Sequence, residues 1–205
     1  MSQHWAYTVL SGVAFGLVLF WGHPAFGAGE ATEAMRSTIN EVIRILTDEN
    51  LKRPEMDGER RRQLEQVIGH RFSYEEMAKR TLGRDWKNLS DGERREFVEL
   101  FKRLLTTTYA DKVEGYSGEQ VVYLAERRKD RYAEVQTKVV SGKVEIPLDY
   151  RLIYKSEDWR VYDVVVEGVS LVKNYRGQFA KVIRSSSFED LVEKLRKKTA
   201  RVEAP

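Results

Sequence analysis

The sequence predicts an α+β fold: a four-stranded, curved antiparallel sheet with N-terminal and C-terminal helices covering one face. Three observations carry this prediction. Apolar residues recur at helical spacing up to about residue 113, alternate with polar ones from 120 to 167, and return to helical spacing after Gly168. The segments joining the alternating stretches (Lys129-Asp130, Gly142-Lys143 and Lys155 to Asp158) are short, and short connections make antiparallel hairpins. Ser73-x-x-Glu76, Ser90-x-x-Glu93 and Ser187-x-x-Asp190 are helix-capping signals placed where the period is helical.

The chain opens with an apolar run, Val9 to Trp21, shorter than the roughly 20 residues a membrane span needs. Ala25-Phe26-Gly27 follows Pro24 and fits small-x-small cleavage after Gly27. The expectation is an export signal over 1–27 and a single domain over 28–205. An uncleaved anchor is the other reading, because no Lys or Arg precedes the run. Helices are then predicted over 31–51, 58–70, 74–81 and 90–113. Ile39, Val42, Ile43 and Leu46 form the stripe of the first, and Arg53-Pro54 ends it. In the long fourth helix Phe97, Leu100, Phe101, Leu104 and Leu105 stack on one side, with Tyr109 extending it.

Strands are predicted over 120–128, 131–141, 144–154 and 159–167. The turns set a register. Val139 faces Ile146 and Val135 faces Tyr150. Leu152 faces Val161, Tyr150 faces Asp163 and Leu148 faces Val165, while Val122 and Leu124 lie opposite Thr137 and Val135. All these side chains share one apolar face, opposite a wet face holding Glu134, Lys138, Asp149 and Arg151. Tyr162, Val164 and Val166 break the alternation, which predicts a helix over that corner. Two helices, about 170–184 and 187–199, close the chain.

Composition narrows function. There is no Cys, and beyond the signal the one His is His70, so disulfides, thiol nucleophiles and most metal or Ser-His chemistry are not expected. A net charge of +3 over 35 basic and 32 acidic residues does not call for nucleic acid. No phosphate loop or nucleophile elbow is present. Asp163 is the one acid with two readings. It is either a general base in an apolar pocket, partnered by Tyr150, or a structural carboxylate satisfied by Tyr150, Tyr175, Arg176 or a backbone amide near Gly168.

Two blocks carry a family resemblance. The first runs from Phe72-Ser73-Tyr74-Glu75-Glu76-Met77-Ala78 through Leu82-Gly83-x-x-Trp86 to Glu93-Arg94-x-x-Phe97-x-x-x-Phe101-x-x-Leu104-Leu105-x-x-x-Tyr109. The second is the strand, glycine corner and helix start from Trp159 to Phe179. Over about 35 to 198 the chain resembles the MlaC / toluene-tolerance family, including a branch associated with hopanoid lipids. The resemblance implies a periplasmic phospholipid carrier rather than an enzyme, with no cofactor or metal beyond its lipid cargo, serving outer-membrane lipid asymmetry. The implied partners are an inner-membrane MCE-domain ABC transporter complex and an outer-membrane lipoprotein–porin complex. The helices and sheet would then enclose a lipid cavity lined by Phe97, Phe101, Leu104 and Tyr109 of the long helix. The sheet would contribute Val135, Val139, Leu148, Tyr150, Leu152, Val161, Val165 and Val169.

Overall fold

The structure is a computed structural model that describes residues 29–200. The predicted export signal lies outside the described residues. Four helices come first: α1 (Glu30–Thr47), α2 (Asp57–Arg71), α3 (Tyr74–Leu82) and α4 (Asp91–Glu114). Five strands follow: β1 (Gln120–Lys129), β2 (Tyr132–Ser141), β3 (Val144–Lys155), β4 (Asp158–Val166) and β5 (Val169–Ser170). Helices α5 (Leu171–Ser185) and α6 (Phe188–Ala200) close the fold. The strands form one sheet in sequence order, and every neighbouring pair is antiparallel.

The fold is α+β as predicted, with one more strand. Glu167 and Gly168 both adopt positive φ, which folds the chain back tightly enough for Val169 and Ser170 to pair with Val166 and Val165. The helix starts are chemically explicit. The Ser73 hydroxyl accepts from the Glu76 amide, Ser90 and Glu93 complete a reciprocal capping box, and Ser187 Oγ accepts from the Asp190 amide. Gly83 ends α3 at φ +60, a conformation that suits glycine.

Register follows the prediction near two turns and departs from it farther along. Val139 pairs with Ile146, Val135 with Tyr150, Tyr154 with Trp159 and Leu152 with Val161. Beyond Leu152 the register of β4 shifts by one residue. Arg151 pairs with Asp163, Tyr150 with Val164, and Leu148 with Val166. Asp163 and Val165 are therefore on the face opposite the apolar one, and Val164 and Val166 take the positions expected for them. Tyr162 is the extra residue that causes this, a β-bulge. The first hairpin also differs. Lys129 pairs with Tyr132, so the turn sits one residue later than predicted, with Asp130 at φ 53. A second bulge at Leu124 then places Tyr123 opposite Thr137 and turns Leu124 outward, 57% exposed.

The buried apolar side chains form three clusters. A helical core joins α3, α4, α5 and α6 through Met77, Leu82, Phe97, Phe101, Tyr175, Phe179 and Leu191. A sheet core sets Ala31 and Met35 of α1 against Val135, Tyr150, Leu152, Trp159, Val161 and Val164. A small third cluster joins Ile45, Leu51 and Leu64. The long helix therefore does not cover the sheet, contrary to expectation; α1 does. An apolar stripe declares that a helix buries one side, not what it buries that side against. The buried positions of α1 are Ala31, Thr32, Met35, Thr38 and Ile45, and the predicted stripe of Ile39, Val42, Ile43 and Leu46 is only half-buried beside them; Ala31 and Thr32 allow the close approach at the start of the helix.

Two polar devices fix α1 on the sheet. Glu126 of edge strand β1 accepts from the Thr32 amide at 2.8 Å and the Thr32 hydroxyl at 2.7 Å, capping the start of α1. Arg71, buried at the end of α2, donates to Thr38 Oγ1 at 2.9 Å, to Asp158 at 2.8 Å and to the Trp159 carbonyl. One guanidinium thus ties α1 and α2 to the start of β4.

Candidate functional site

The apolar face of the sheet is the candidate site, and it is covered unevenly. Val135, Leu152 and Val161 are fully buried, with α1 packed over this part of the sheet. Toward the β2–β3 turn, Val139 and Leu148 are only half-buried and Ile146 is exposed. The seams around the sheet core consist of partly buried side chains, including Ile39, Tyr123, Leu148, Val166 and Leu171. Phe72, just after α2, packs against both the sheet core and the helical core. Its backbone bridges to Val161, and the next amide, Ser73 N–H, donates to the Val161 carbonyl at 2.8 Å.

Of the residues anticipated from sequence, the structure brings Val135, Leu148, Tyr150, Leu152 and Val161 together on this face, with Val139 farther along it. It places Phe97, Phe101 and Leu104 in the helical core instead, with Tyr109 half-buried at its rim. Val165 is buried on the other side of the sheet, and Val169 is 58% exposed at the β4–β5 turn. Sequence reasoning missed Ala31, Met35 and Phe72. The Ala31, Met35, Thr38 spacing was the available signal for the first two.

Polar chemistry on the apolar face is sparse. Burial pushes the Tyr150 hydroxyl above its ordinary value, so it stays neutral. Tyr123 Oη and Trp159 Nε1 are buried without a hydrogen-bond partner among the described residues. The Arg36 guanidinium stacks over the Tyr123 ring at 4.1 Å.

Asp163 is a structural carboxylate. One oxygen accepts from the Val172 amide at 3.0 Å; the other accepts from Ser170 Oγ at 2.7 Å and from Arg151 at 3.2 Å. It pins the start of α5 to the sheet, which is the second of the two readings, with Ser170 and Arg151 as partners not anticipated. The bulge turns it away from Tyr150, so the pair proposed for a general-base site is not assembled. No group of three or more His, Asp or Glu side chains able to hold a metal occurs among the described residues. Among those residues, no helix is long and apolar enough to cross a membrane.

A family profile described as MlaC protein matches residues 36–197. The intermembrane phospholipid transport system binding protein MlaC of Haemophilus influenzae is 22% identical over 122 residues, which is 57% of this chain and 57% of that protein. A phospholipid-binding protein from Ralstonia solanacearum, solved in complex with a phospholipid, superposes with a TM-score of 0.76 at 25% identity. That match covers 85% of this chain and 99% of the other. A profile that spans most of the domain, and a fold shared with a lipid-bound protein, together mean that the chain belongs to the MlaC family.

Proposed function

We propose that this chain is a periplasmic carrier that takes up a phospholipid by its acyl chains and passes it between membrane complexes. As a member of its family it is not an enzyme and needs no cofactor. The observation that carries the proposal is the divided interior: an apolar sheet face whose borders are half-buried seams rather than continuous core. Domains of this size ordinarily close around one contiguous core. The acyl chains would enter along the seam marked by Ile39, Phe72, Leu148 and Val166, moving α1 outward from the sheet. Tyr123 Oη is a buried donor without a partner among the described residues, and an ester oxygen near the glycerol would satisfy it. The phospholipid complex of the Ralstonia protein supports the same reading.

The driving force is burial of methylene groups, about 0.8 kcal/mol each. A long acyl chain therefore binds too tightly to leave on its own at a useful rate. Release requires a partner that shifts α1 or accepts the chain directly. An inner-membrane MCE-domain ABC transporter complex and an outer-membrane lipoprotein–porin complex fit that role. Solvent extraction and mass spectrometry of the purified protein test the proposal. Phospholipid in wild type and its marked reduction in Leu148→Trp, with an unchanged circular dichroism spectrum, is the expected result. A hopanoid in the extract would change the cargo class, and lipid-free wild-type protein would refute the carrier reading.

A further inference from the structure

The face of the sheet opposite the apolar one carries a pocket of about 580 Å³, formed where α3, the start of α5 and the outer side of β3 and β4 meet. Its lining is charged and unbalanced. Lys79, Arg80, Arg151, Lys173 and Arg176 supply five cations, against the carboxylates of Glu76 and Asp163. Both carboxylates are already engaged. Glu76 pairs with Arg80 at 2.8 Å, and Asp163 is held by Ser170, Val172 and Arg151. Lys79, Lys173 and Arg176 make no ion pair among the described residues.

The positions of these groups are built rather than incidental. Arg176 lies across Gly83, where an added Cβ would sit 3.0 Å from the guanidinium. Any side chain there would push Arg176 away. Arg80 is stacked over the Tyr162 ring at 4.1 Å, and Tyr162 is the extra residue of the β4 bulge. Arg151 is braced by Glu134 at 3.1 Å on one side and by Asp163 on the other. Several positive groups therefore converge on a concave space with their own counter-charges already spent. Concavity and size suit a compact ligand, since small-molecule sites run to about 300–1,000 Å³. Guanidinium and ammonium groups together match the oxygens of a phosphate.

We propose that this pocket is a second binding site, separate from the acyl-chain site, that takes a phosphate-type oxyanion through Lys79, Lys173 and Arg176. The phosphate is either the headgroup of an anionic phospholipid at a membrane surface or a soluble phosphate ester. Site and cargo lie on opposite faces of the sheet, because Arg151 alternates with Tyr150 and Leu152 along β3.

The test compares the full chain with two triple variants. Lys79→Gln/Lys173→Gln/Arg176→Gln empties the pocket of unpaired charge. Lys194→Gln/Lys197→Gln/Lys198→Gln removes the same charge from α6. All six residues are solvent-exposed, so both variants are expected to fold. Glycerol 3-phosphate is titrated by amide chemical shifts at Ser170 to Lys173. In parallel, binding is measured to phosphatidylcholine vesicles with and without phosphatidylglycerol. The pocket variant should bind about tenfold or more weakly while the α6 variant stays near wild type. Glycerol 3-phosphate binding identifies a soluble ester; binding to phosphatidylglycerol vesicles alone identifies a headgroup. Equal loss in both variants overturns the site, as does binding of a polyglutamate peptide but neither phosphate probe. Co-purified lipid should be the same in wild type and the pocket variant; its loss would mean that this pocket belongs to the cargo site.

Discussion

Two apolar regions of this chain are finished differently. In the helical core Phe97, Phe101, Tyr175 and Phe179 interlock, with Phe101 edge-on to Tyr175 at 5.5 Å and to Phe179 at 5.9 Å. In the sheet core, α1 lies over the strands with Ala31 and Met35, its margins are half-buried, and Trp159 Nε1 has no partner among the described residues. Aromatic interlocking resists any change of shape. A helix resting on small residues and held by a few polar ties can move as a unit. Under the proposed function the two regions have different duties: one keeps the fold together, the other is where volume would be made for a ligand.

The largest expected effect breaks the rigid half. Phe101→Ala should cost about 3–5 kcal/mol of unfolding free energy by denaturant titration, whereas Leu148→Ala at the seam should cost less than half of that. Equal costs would mean that the seam is as tightly packed as the helical core. Next comes the tie between sheet and α5. Asp163→Ala leaves Ser170, Val172 and Arg151 without their acceptor and should lower stability by about 2–3 kcal/mol. Thermal melting monitored by circular dichroism reads this directly.

Glu126→Ala should be milder, about 1 kcal/mol, as for other lost helix caps. Its signature is local. Hydrogen exchange should accelerate in the first turns of α1 while α4 and α5 keep wild-type protection, and lipid exchange should become faster. Acceleration throughout the chain would show that α1 does not move independently. The smallest effect is a pH dependence at the Arg71 pin. Burial alone would raise the Asp158 carboxyl, but hydrogen bonding and charge from Arg71, with the Trp159 amide, hold it below its ordinary value. A carboxyl depressed on folding adds stability above the unfolded value, about pH 4, and loses it as pH falls through the folded value. Asp158→Asn should flatten that part of the acid-unfolding curve.

Much of this arrangement is legible in the sequence, for identifiable reasons. Period, short turns and capping signals place the six helices and four long strands, because each is a local property of the chain. The two β-bulges are not legible: neither Leu124 nor Tyr162 is a glycine or proline, and their neighbours look like ordinary strand residues. A register extended from a turn therefore holds for Leu152 and Val161 and fails one step later, which misplaced Asp163 and Val165. Helix partners are illegible for another reason. The stripe on α4 is equally suited to a sheet or to other helices, and only the three-dimensional path of α5 and α6 decides between them. The alternation broken at Tyr162, Val164 and Val166 was visible, and the bulge is its cause.

A pleated strand has two sides, so whether an added residue is paired or bulged out decides inside and outside for everything after it. Upstream of Tyr162, β4 presents Val161 to the hydrocarbon layer; downstream, it presents Asp163 to the charged layer beneath α5. Pairing that tyrosine in a regular ladder would carry a carboxylate into the grease and Val164 among the lysines and arginines, whereas deleting it would leave Asp163 opposite Arg151. The sidedness of this domain, oily behind and ionic in front, thus depends on one unpaired residue in a single strand.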